Sequence, residues 1–158
     1  STVLEFHQEH LCNSLRGMLR GEVQEYHGKS HFNNRCGVAQ GKVIGGNLTI
    51  ITLERYAESA VETFKDCILF VEDPKENASY VATRFQKLAK ILPHVKALVI
   101  GFLKDDYEKC TEREYSLLRR TAMKEIVSCT DFRGPIVWDF PVGHVKESFP
   151  VLCGQEAK

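Results

Sequence analysis

The sequence predicts an α/β domain built around a mainly parallel sheet with flanking helices. Three short apolar segments, 67–71, 96–102 and 135–140, are rich in β-branched and aromatic residues. That composition is typical of strands that are buried on both faces. Segments with apolar residues at helical spacing separate these strands, and the alternation favours right-handed parallel crossovers.

Length and charge narrow the class of protein. The chain has 158 residues, which suits one domain with a sizeable core. Lys plus Arg and Asp plus Glu both number 21, so the formal net charge is zero and no nucleic-acid or membrane partner is expected. No segment approaches the ~18 consecutive apolar residues of a membrane span. Because the sequence begins with Ser1, without a signal-like region, we expect a fragment or a processed product.

The cysteines and histidines do not suggest a metal site or a disulfide framework. The six cysteines are Cys12, Cys36, Cys67, Cys110, Cys129 and Cys153. They are widely scattered, with no C-x-x-C pair and no close His at metal-ligand spacing, so we predict buried, reduced thiols. His7 and His10 are i, i+3 neighbours, for which a solvated helix face is the favoured interpretation. We therefore predict no metal and no other cofactor.

The N-terminal 35 residues are predicted as a helix and a connection. Apolar residues recur at roughly helical spacing between Ser1 and Leu19, and Gly21 can end this helix. Segment 26–36 is polar and contains Gly28 and an Asn-Asn pair, which indicates a connection. We assign no chemistry to it.

Segment 37–48 predicts a corner in which a strand turns into a helix. Gly45 and Gly46 are followed by Asn47, a residue suited to cap a helix over 48–56. The backbone amides of such a corner can hold a phosphate or a carboxylate. The segment matches neither the Gly-x-Gly-x-x-Gly fingerprint nor the P-loop, and simple close packing is the alternative interpretation.

The remaining elements follow from caps and periodicity. Asn77 is suited to cap a helix that Pro93 ends, and Thr111 and Glu114 form a capping box for a helix reaching about Val127. The inner stripe of the first of these helices is Val81, Phe85, Leu88 and Leu92. The Arg119–Arg120 pair is interpreted as a helix face, and 149–153 as a further strand.

A carboxylate and an imidazole follow two of the buried strands. Glu72 ends the first strand, and His144 comes just after the last one, beyond a Pro-Val-Gly turn. If the strands are parallel, the two side chains meet at one rim of the sheet, as the supporting half of a nucleophilic triad. A solvated strand end and a loop histidine satisfied by backbone are the alternatives. Asp73 is the competing candidate for the carboxylate that orients His144. Alternation along the strand points Asp73 and Glu72 to opposite sides, and a twist at Pro74 could exchange them.

Four sequence blocks together resemble a known family. They are 41–49 (GKVIGGNLT), 67–73 (CILFVED), 99–102 (VIGF) and 141–144 (PVGH). In this order they resemble the C-terminal half of the LD-carboxypeptidases, a family that includes the microcin C self-immunity peptidases. The likeness covers about residues 36 to 154. It implies two parts: 1–35 as a helical linker and connection, and 36–158 as an LD-carboxypeptidase-like C-terminal domain.

The resemblance implies a fold and an activity. The family's fold is a three-layer β/β/α domain of the swivelling type, often within a homodimer. Its members are cytoplasmic serine peptidases that cut the L,D-amide bond to a terminal D-alanine in murein tetrapeptides with a Ser-His-Glu triad. By motif match Glu72 takes the Glu role and His144 the His role. The nucleophilic Ser belongs to an N-terminal domain that we expect this chain to lack, because none of its serines lies in a nucleophile-elbow motif. The chain alone is then expected to be inactive.

Two departures and two other functions accompany the resemblance. The family has a Gly-Thr and then a Pro after the corner, whereas 56–65 is charged and lacks both. The family's Tyr-x-x-x-Arg element remains as Tyr80 and Arg84, which we interpret as packing or orientation residues. The alternative functions are cleavage of peptidyl-nucleotide antibiotics and a non-catalytic, anion-binding swivelling module that would use the Gly45-Gly46-Asn47 corner.

Overall fold

The computed structural model describes residues 9–53, 57–74, 77–103, 111–128 and 131–158. Its α-helices are α1 (Glu9–Leu19), α2 (Leu48–Ile51), α3 (Ala57–Phe64), α4 (Ala78–Leu88) and α5 (Glu112–Ser128). Its strands are β1 (Gly41–Asn47), β2 (Ile68–Glu72), β3 (Ala97–Ile100), β4 (Ile136–Val137) and β5 (Glu156–Ala157). A short 3₁₀ helix covers Leu92–His94.

The strands form one mainly parallel sheet in the order β4-β3-β2-β1-β5. Strands β1 to β4 are parallel, and each is the neighbour of the next strand in sequence. The predicted α/β class, with a mainly parallel sheet and flanking helices, is confirmed. Strand β5 is antiparallel to β1 and was not predicted. The prediction of a strand over 149–153 was wrong, because that segment has no ladder partner; the chain forms backbone hydrogen bonds with Val43 of β1 only from Gly154 and Gln155, directly before β5.

Local capping signals define both long helices. The Asn77 side chain accepts hydrogen bonds from the amides of Ser79 and Tyr80 at the start of α4. Thr111 and Glu114 form the predicted capping box of α5: the Thr111 amide donates to the Glu114 carboxylate, and the Thr111 hydroxyl accepts from the Glu114 amide.

Helix α4 ends before the residue that sequence periodicity suggested. Leu92 was assigned to its inner stripe, yet α4 ends at Leu88 and Leu92 opens the 3₁₀ helix. Pro93 occupies an early position of that 3₁₀ helix, where its missing N–H costs no hydrogen bond. Leu92 is nevertheless fully buried.

The core lies between the sheet and helices α4 and α5. One side of the central strands is fully buried, and its residues are Leu69, Val71, Leu98, Ile100 and Ile136. Val81, Phe85 and Leu88 of α4 and Leu118, Ala122 and Ile126 of α5 pack into the same core. The row Phe70, Val99 and Val137 on the opposite side is only half-buried.

Residues 26–35, here named the strap, run beside β4 in the opposite direction. Arg35 and Ile136 exchange backbone hydrogen bonds, and the Asn34 side chain accepts from the Trp138 amide at 2.8 Å. The Arg35 guanidinium donates to the carbonyl oxygens of Gly134 and Phe132. The strap lacks regular structure, as predicted for a connection, but it satisfies the open edge of β4 and so protects an edge strand from pairing elsewhere.

Two local predictions need correction, and part of a third lies outside the described residues. The helix expected over 48–56 is the single turn α2, which ends at Ile51; residues 54–56 lie outside the described part. The start of the first predicted helix also lies outside it, and α1 begins at Glu9. Gly45 and Gly46 do not form a turn but continue β1, because they pair with Phe70 and Val71 of β2. The glycine at position 45 is required by the close approach, since a Cβ there would overlap the Phe70 carbonyl oxygen.

Two side-chain predictions also change. Burial was predicted for every cysteine, yet Cys36 and Cys153 are exposed, while Cys67 is buried. Cys36 follows the strap and Cys153 lies near the C-terminus, both in surface connections. Arg119, interpreted only as part of a helix face, is 9% exposed because it packs against His31 of the strap and Asp139 just after β4.

Candidate active site

Glu72 and His144 lie in contact at the carboxyl ends of the parallel strands. Oε2 of Glu72 is 2.9 Å from Nδ1 of His144, so a protonated Nδ1 donates to the carboxylate. The Glu72 side chain is 7% exposed, whereas that of His144 is 53% exposed. Glu72 is the only hydrogen-bond partner of His144 among the described residues. A buried carboxylate therefore orients an imidazole whose other nitrogen is left for chemistry.

Glycines make the space that Glu72 occupies. A Cβ at Gly143, whose φ is +100°, would lie 2.7 Å from Oε2 and Cγ of Glu72. A Cβ at Gly101, the residue after β3, would lie 3.2 Å from the Glu72 Cβ and 2.7 Å from the Val142 carbonyl oxygen. Both glycines lie in the sequence blocks that resemble the family, but no role was predicted for them. Their positions directly after a buried strand and directly before His144 were the available signal.

His144 lies in a short loop that is closed at its base. The Phe149 amide donates to the Pro141 carbonyl oxygen at 2.7 Å, and this bond joins the two ends of loop 141–149. At the start of the loop the Phe140 amide donates to the Ile100 carbonyl oxygen, which ties the loop to the end of β3. Val142 is 2% exposed and anchors the loop from inside. The loop thus has a fixed base below an exposed imidazole.

Asp73 does not contact His144 but joins the ends of β1 and β2. One carboxylate oxygen accepts a hydrogen bond from the Asn47 side-chain amide at 2.9 Å. The other accepts from the Thr49 amide at 2.9 Å and from the Thr49 hydroxyl at 2.8 Å. Asp73 is 3% exposed. The sequence left Asp73 and Glu72 in competition; the geometry directs Glu72 to the imidazole and Asp73 to the corner.

The Gly45-Gly46-Asn47 corner is consequently occupied by the protein's own carboxylate. Asn47 caps α2 through its side-chain oxygen, which accepts a hydrogen bond from the Ile50 amide at 3.1 Å, while its Nδ2 donates one to Asp73. The amide of Thr49, at the start of α2, donates to Asp73. A carboxylate of the chain itself thus uses donors that could otherwise have held an external anion.

A second polar cluster lies where α5, β4 and the strap meet. The Asp139 carboxylate accepts from the Tyr115 hydroxyl at 2.7 Å and pairs with Arg119 Nε at 3.3 Å. Arg119 Nη1 is 3.1 Å from Nε2 of His31, and its guanidinium lies over the Tyr115 ring. Burial lowers the pKa of His31; Asp139 acts against this and Arg119 adds to it. Sequence reasoning missed this cluster because its members are far apart in the chain.

Tyr80 and Arg84, the remaining motif residues, are not brought to the imidazole by any hydrogen bond in the described part of the chain. Tyr80 is 53% exposed. Arg84 buries its Nε without a hydrogen-bond partner among the described residues. Within the same residues, no three His, Cys, Asp or Glu side chains converge as a metal-ligand set. None of the described helices combines the length and apolar composition of a bilayer span.

Comparison with known proteins assigns the chain to a family. The pattern that defines the LD-carboxypeptidase C-terminal domain matches residues 40–158. No curated protein matches the chain. Among solved structures it resembles the crystal structure of muramoyltetrapeptide carboxypeptidase from Oxalobacter formigenes at 27% identity and a TM-score of 0.55. This likeness covers 78% of the chain and 41% of that protein.

A structure of MccF in complex with glutamyl sulfamoyl guanosine has the same fold, at 19% identity and a TM-score of 0.52. The likeness covers 75% of this chain and 34% of the MccF chain. The chain thus spans less than half the length of either solved relative. With the family pattern matched over most of its residues, the chain belongs to the LD-carboxypeptidase C-terminal domain family of serine peptidases.

Proposed function

We propose that this chain supplies the His and Glu of a Ser-His-Glu triad in a cytoplasmic LD-carboxypeptidase. The substrate is a murein tetrapeptide, and the bond cut is the L,D-amide to its terminal D-alanine. The observation that carries the proposal is the 2.9 Å contact between the buried Glu72 carboxylate and Nδ1 of the exposed His144. The family assignment gives this contact its context.

The geometry divides the work between the two side chains. With Nδ1–H donated to Glu72, Nε2 of His144 carries the lone pair that accepts the proton of an attacking serine hydroxyl. The same nitrogen returns that proton to the leaving amine of D-alanine. Glu72 holds the ring in this tautomer and stabilises the imidazolium that forms. Its burial keeps water from competing for the hydrogen bond.

The nucleophile comes from outside this chain. Among the described residues His144 has a hydrogen bond with Glu72 and none with a serine, and no serine of the sequence lies in an elbow motif. We assign the nucleophile to an N-terminal domain that docks beside His144. The 158-residue chain alone is then inactive, because loss of a triad member lowers kcat by ~10⁴-fold or more.

The anion-binding module is disfavoured, since Asp73 takes up the donors of the corner that such a module would use. A self-immunity peptidase acting on peptidyl nucleotides uses the same triad. Only the substrate separates it from a murein carboxypeptidase. Both substrates therefore belong in the test.

The test joins this chain to the nucleophile domain of the Oxalobacter formigenes enzyme and measures D-alanine release from a murein tetrapeptide. We expect turnover by the chimera and a loss of at least ~10³-fold in His144→Ala. Lys146→Ala, an exposed change in the same loop, is the matched control and should leave the rate unchanged.

Three outcomes of this test would change the proposal. D-alanine release that survives His144→Ala would contradict the triad. A chimera that cleaves an aminoacyl sulfamoyl adenosine but no tetrapeptide would transfer the assignment to the self-immunity class. Robust hydrolysis by the unfused 158-residue chain would show that the nucleophile lies within it.

A further inference from the structure

The loop that carries His144 is closed by one hydrogen bond and one aromatic contact. Phe149, whose amide closes the loop onto Pro141, stacks on Tyr26 of the strap with ring centroids 4.5 Å apart and an interplanar angle of 13°. Phe140, at the other end of the loop, lies 6.1 Å from the Phe149 ring. The residues at both ends of the loop thus contribute to one aromatic group. Aromatic pairs of this kind stabilise a contact beyond their buried area.

The strap backbone also contacts this aromatic group. A Cβ at Gly28 would lie 3.2 Å from Cδ2 of Phe140, so the strap passes directly over that ring. A side chain at residue 28 would push the strap away from the loop. Tyr26 and Gly28 thereby cover the two rings at the ends of the His144 loop.

Tyr26 is itself held by helix α1. Its hydroxyl is 2.9 Å from the Ser14 hydroxyl, and Ser14 also donates to the Gln24 side chain at 3.0 Å. At its other end the strap is fixed to β4 through Asn34 and Arg35. The Tyr26 ring therefore has a defined position before any substrate is present. Because the Tyr26 hydroxyl is held by α1 and the far end of the strap is held at β4, the Tyr26 ring can restrain the Phe149 ring on which it stacks.

We propose that Tyr26 is a positioning residue for His144, acting through its stack on Phe149. The stack keeps the base of loop 141–149 closed, so His144 stays within hydrogen-bond distance of Glu72. The inference rests on the proposed function for its effect on turnover, but the effect on the loop is independent of that function. It gives a role to a segment whose sequence suggested none.

The test compares three variants of the whole chain. Tyr26→Ala removes the ring, whereas Tyr26→Phe keeps the stack and loses only the bond to Ser14. His27→Ala changes the next residue, whose side chain is 82% exposed, and is the matched control. Amide exchange of residues 142–149 and the ¹⁵N shifts of the His144 imidazole are measured in each.

For Tyr26→Ala we expect exchange in the loop to accelerate about tenfold, the change in a local opening equilibrium that one aromatic pair can produce. The His144 ¹⁵N shifts should move from the Nδ1–H tautomer toward a mixture. His27→Ala should keep wild-type exchange and shifts, and Tyr26→Phe, which keeps the stack but loses the bond to Ser14, should stay much closer to the wild-type values than Tyr26→Ala. In the chimera, Tyr26→Ala should lower kcat by up to ~10-fold with KM nearly unchanged, because the loop opening that displaces the base affects the chemical step.

A loss of global stability in Tyr26→Ala without selective change in loop exchange or in the His144 shifts would overturn the inference. If Tyr26→Ala does not fold, Phe149→Leu removes the opposite ring and must give the same loop signature. In the wild-type chain, Overhauser contacts between the Tyr26 and Phe149 rings must be present, and their absence would also overturn it. An inactive chimera with intact loop effects would reject the proposed function and leave this inference standing.

Discussion

Gly143→Ala is the substitution whose cost the geometry of the site defines best. The new Cβ would lie 2.7 Å from Oε2 and Cγ of Glu72 and would adopt a φ of +100°. The backbone strain costs about 1–3 kcal/mol. Overpacking against a buried side chain adds about 1–3 kcal/mol. We expect a total destabilisation of about 2–6 kcal/mol, together with displacement of Glu72 from His144.

Gly154→Ala separates the two contributions. Gly154 has a comparable φ of +87°, but a Cβ there would meet nothing within 4 Å. It therefore carries the backbone strain without the overlap. Urea unfolding of both variants should show Gly143→Ala to be the more destabilised by about 1–3 kcal/mol. In a Glu72→Ala background only part of this excess should vanish, because the overlapping Oε2 and Cγ are gone but the Cβ of residue 72, 2.8 Å from the new Cβ, remains.

Equal free energies of unfolding for Gly143→Ala and Gly154→Ala would refute this reasoning. So would an excess that persists unchanged in the Glu72→Ala background. Either result would mean that Glu72 does not approach the His144 loop as closely as the structure has it. The assignment of Glu72 as the partner of His144 would then lose its geometric support.

Three further predictions concern the carboxylates, the thiols and pH. In the chimera, Glu72→Gln should keep the fold and lose ~10²- to 10⁴-fold in kcat. Asp73→Asn should instead lose about 1–3 kcal/mol of stability, because an amide cannot accept all three hydrogen bonds that the Asp73 carboxylate accepts. The reverse result would exchange the roles of the two residues. All six cysteines should titrate as thiols after denaturation without reductant; in the native chain the exposed Cys36 and Cys153 should react with a thiol reagent quickly. Cys67 should stay protected, since burial raises its pKa to about 11, and rapid labelling of it would contradict its burial. The pKa of His31 is lowered in the folded chain, so as the pH falls the unfolded chain takes up a proton at this residue before the folded chain does, and stability should fall below pH 6.5. His31→Gln should flatten this pH dependence of the free energy of unfolding in urea. An unchanged slope would mean that other groups cause the dependence.

The elements that the sequence predicted well depend on neighbours in the chain. The strand that ends at Glu72 is a continuous apolar run, and the caps at Asn77 and Thr111 use residues two to three positions away. Such signals need no tertiary contact. The rim that Glu72 and His144 share follows from parallel crossovers, and this part of the geometry was also expected from the order of the elements.

The features that the sequence did not predict depend on residues far apart. Arg119 is buried because Asp139, just after β4, and His31 of the strap contact it. Gly45 continues a strand because it pairs with Phe70 of β2. Whether Glu72 or Asp73 faces the imidazole depends on the side of the sheet from which loop 141–149 approaches. Composition and spacing carry no information on these contacts until the chain is folded.

The strap has a consequence for the order of folding. Strands β1 to β4 each pair with the next strand in sequence, so the sheet can grow through closures of modest length. The bond from Arg35 to Gly134 joins residues separated by 99 positions. The entropy cost of closing so long a loop is offset only once β4 has formed and can pair with the strap. Docking of the strap is then the late step of folding, and the ring that restrains the His144 loop arrives with it. During folding, Glu72 would thus reach its position early, with the sheet, and the loop that carries His144 would become ordered last.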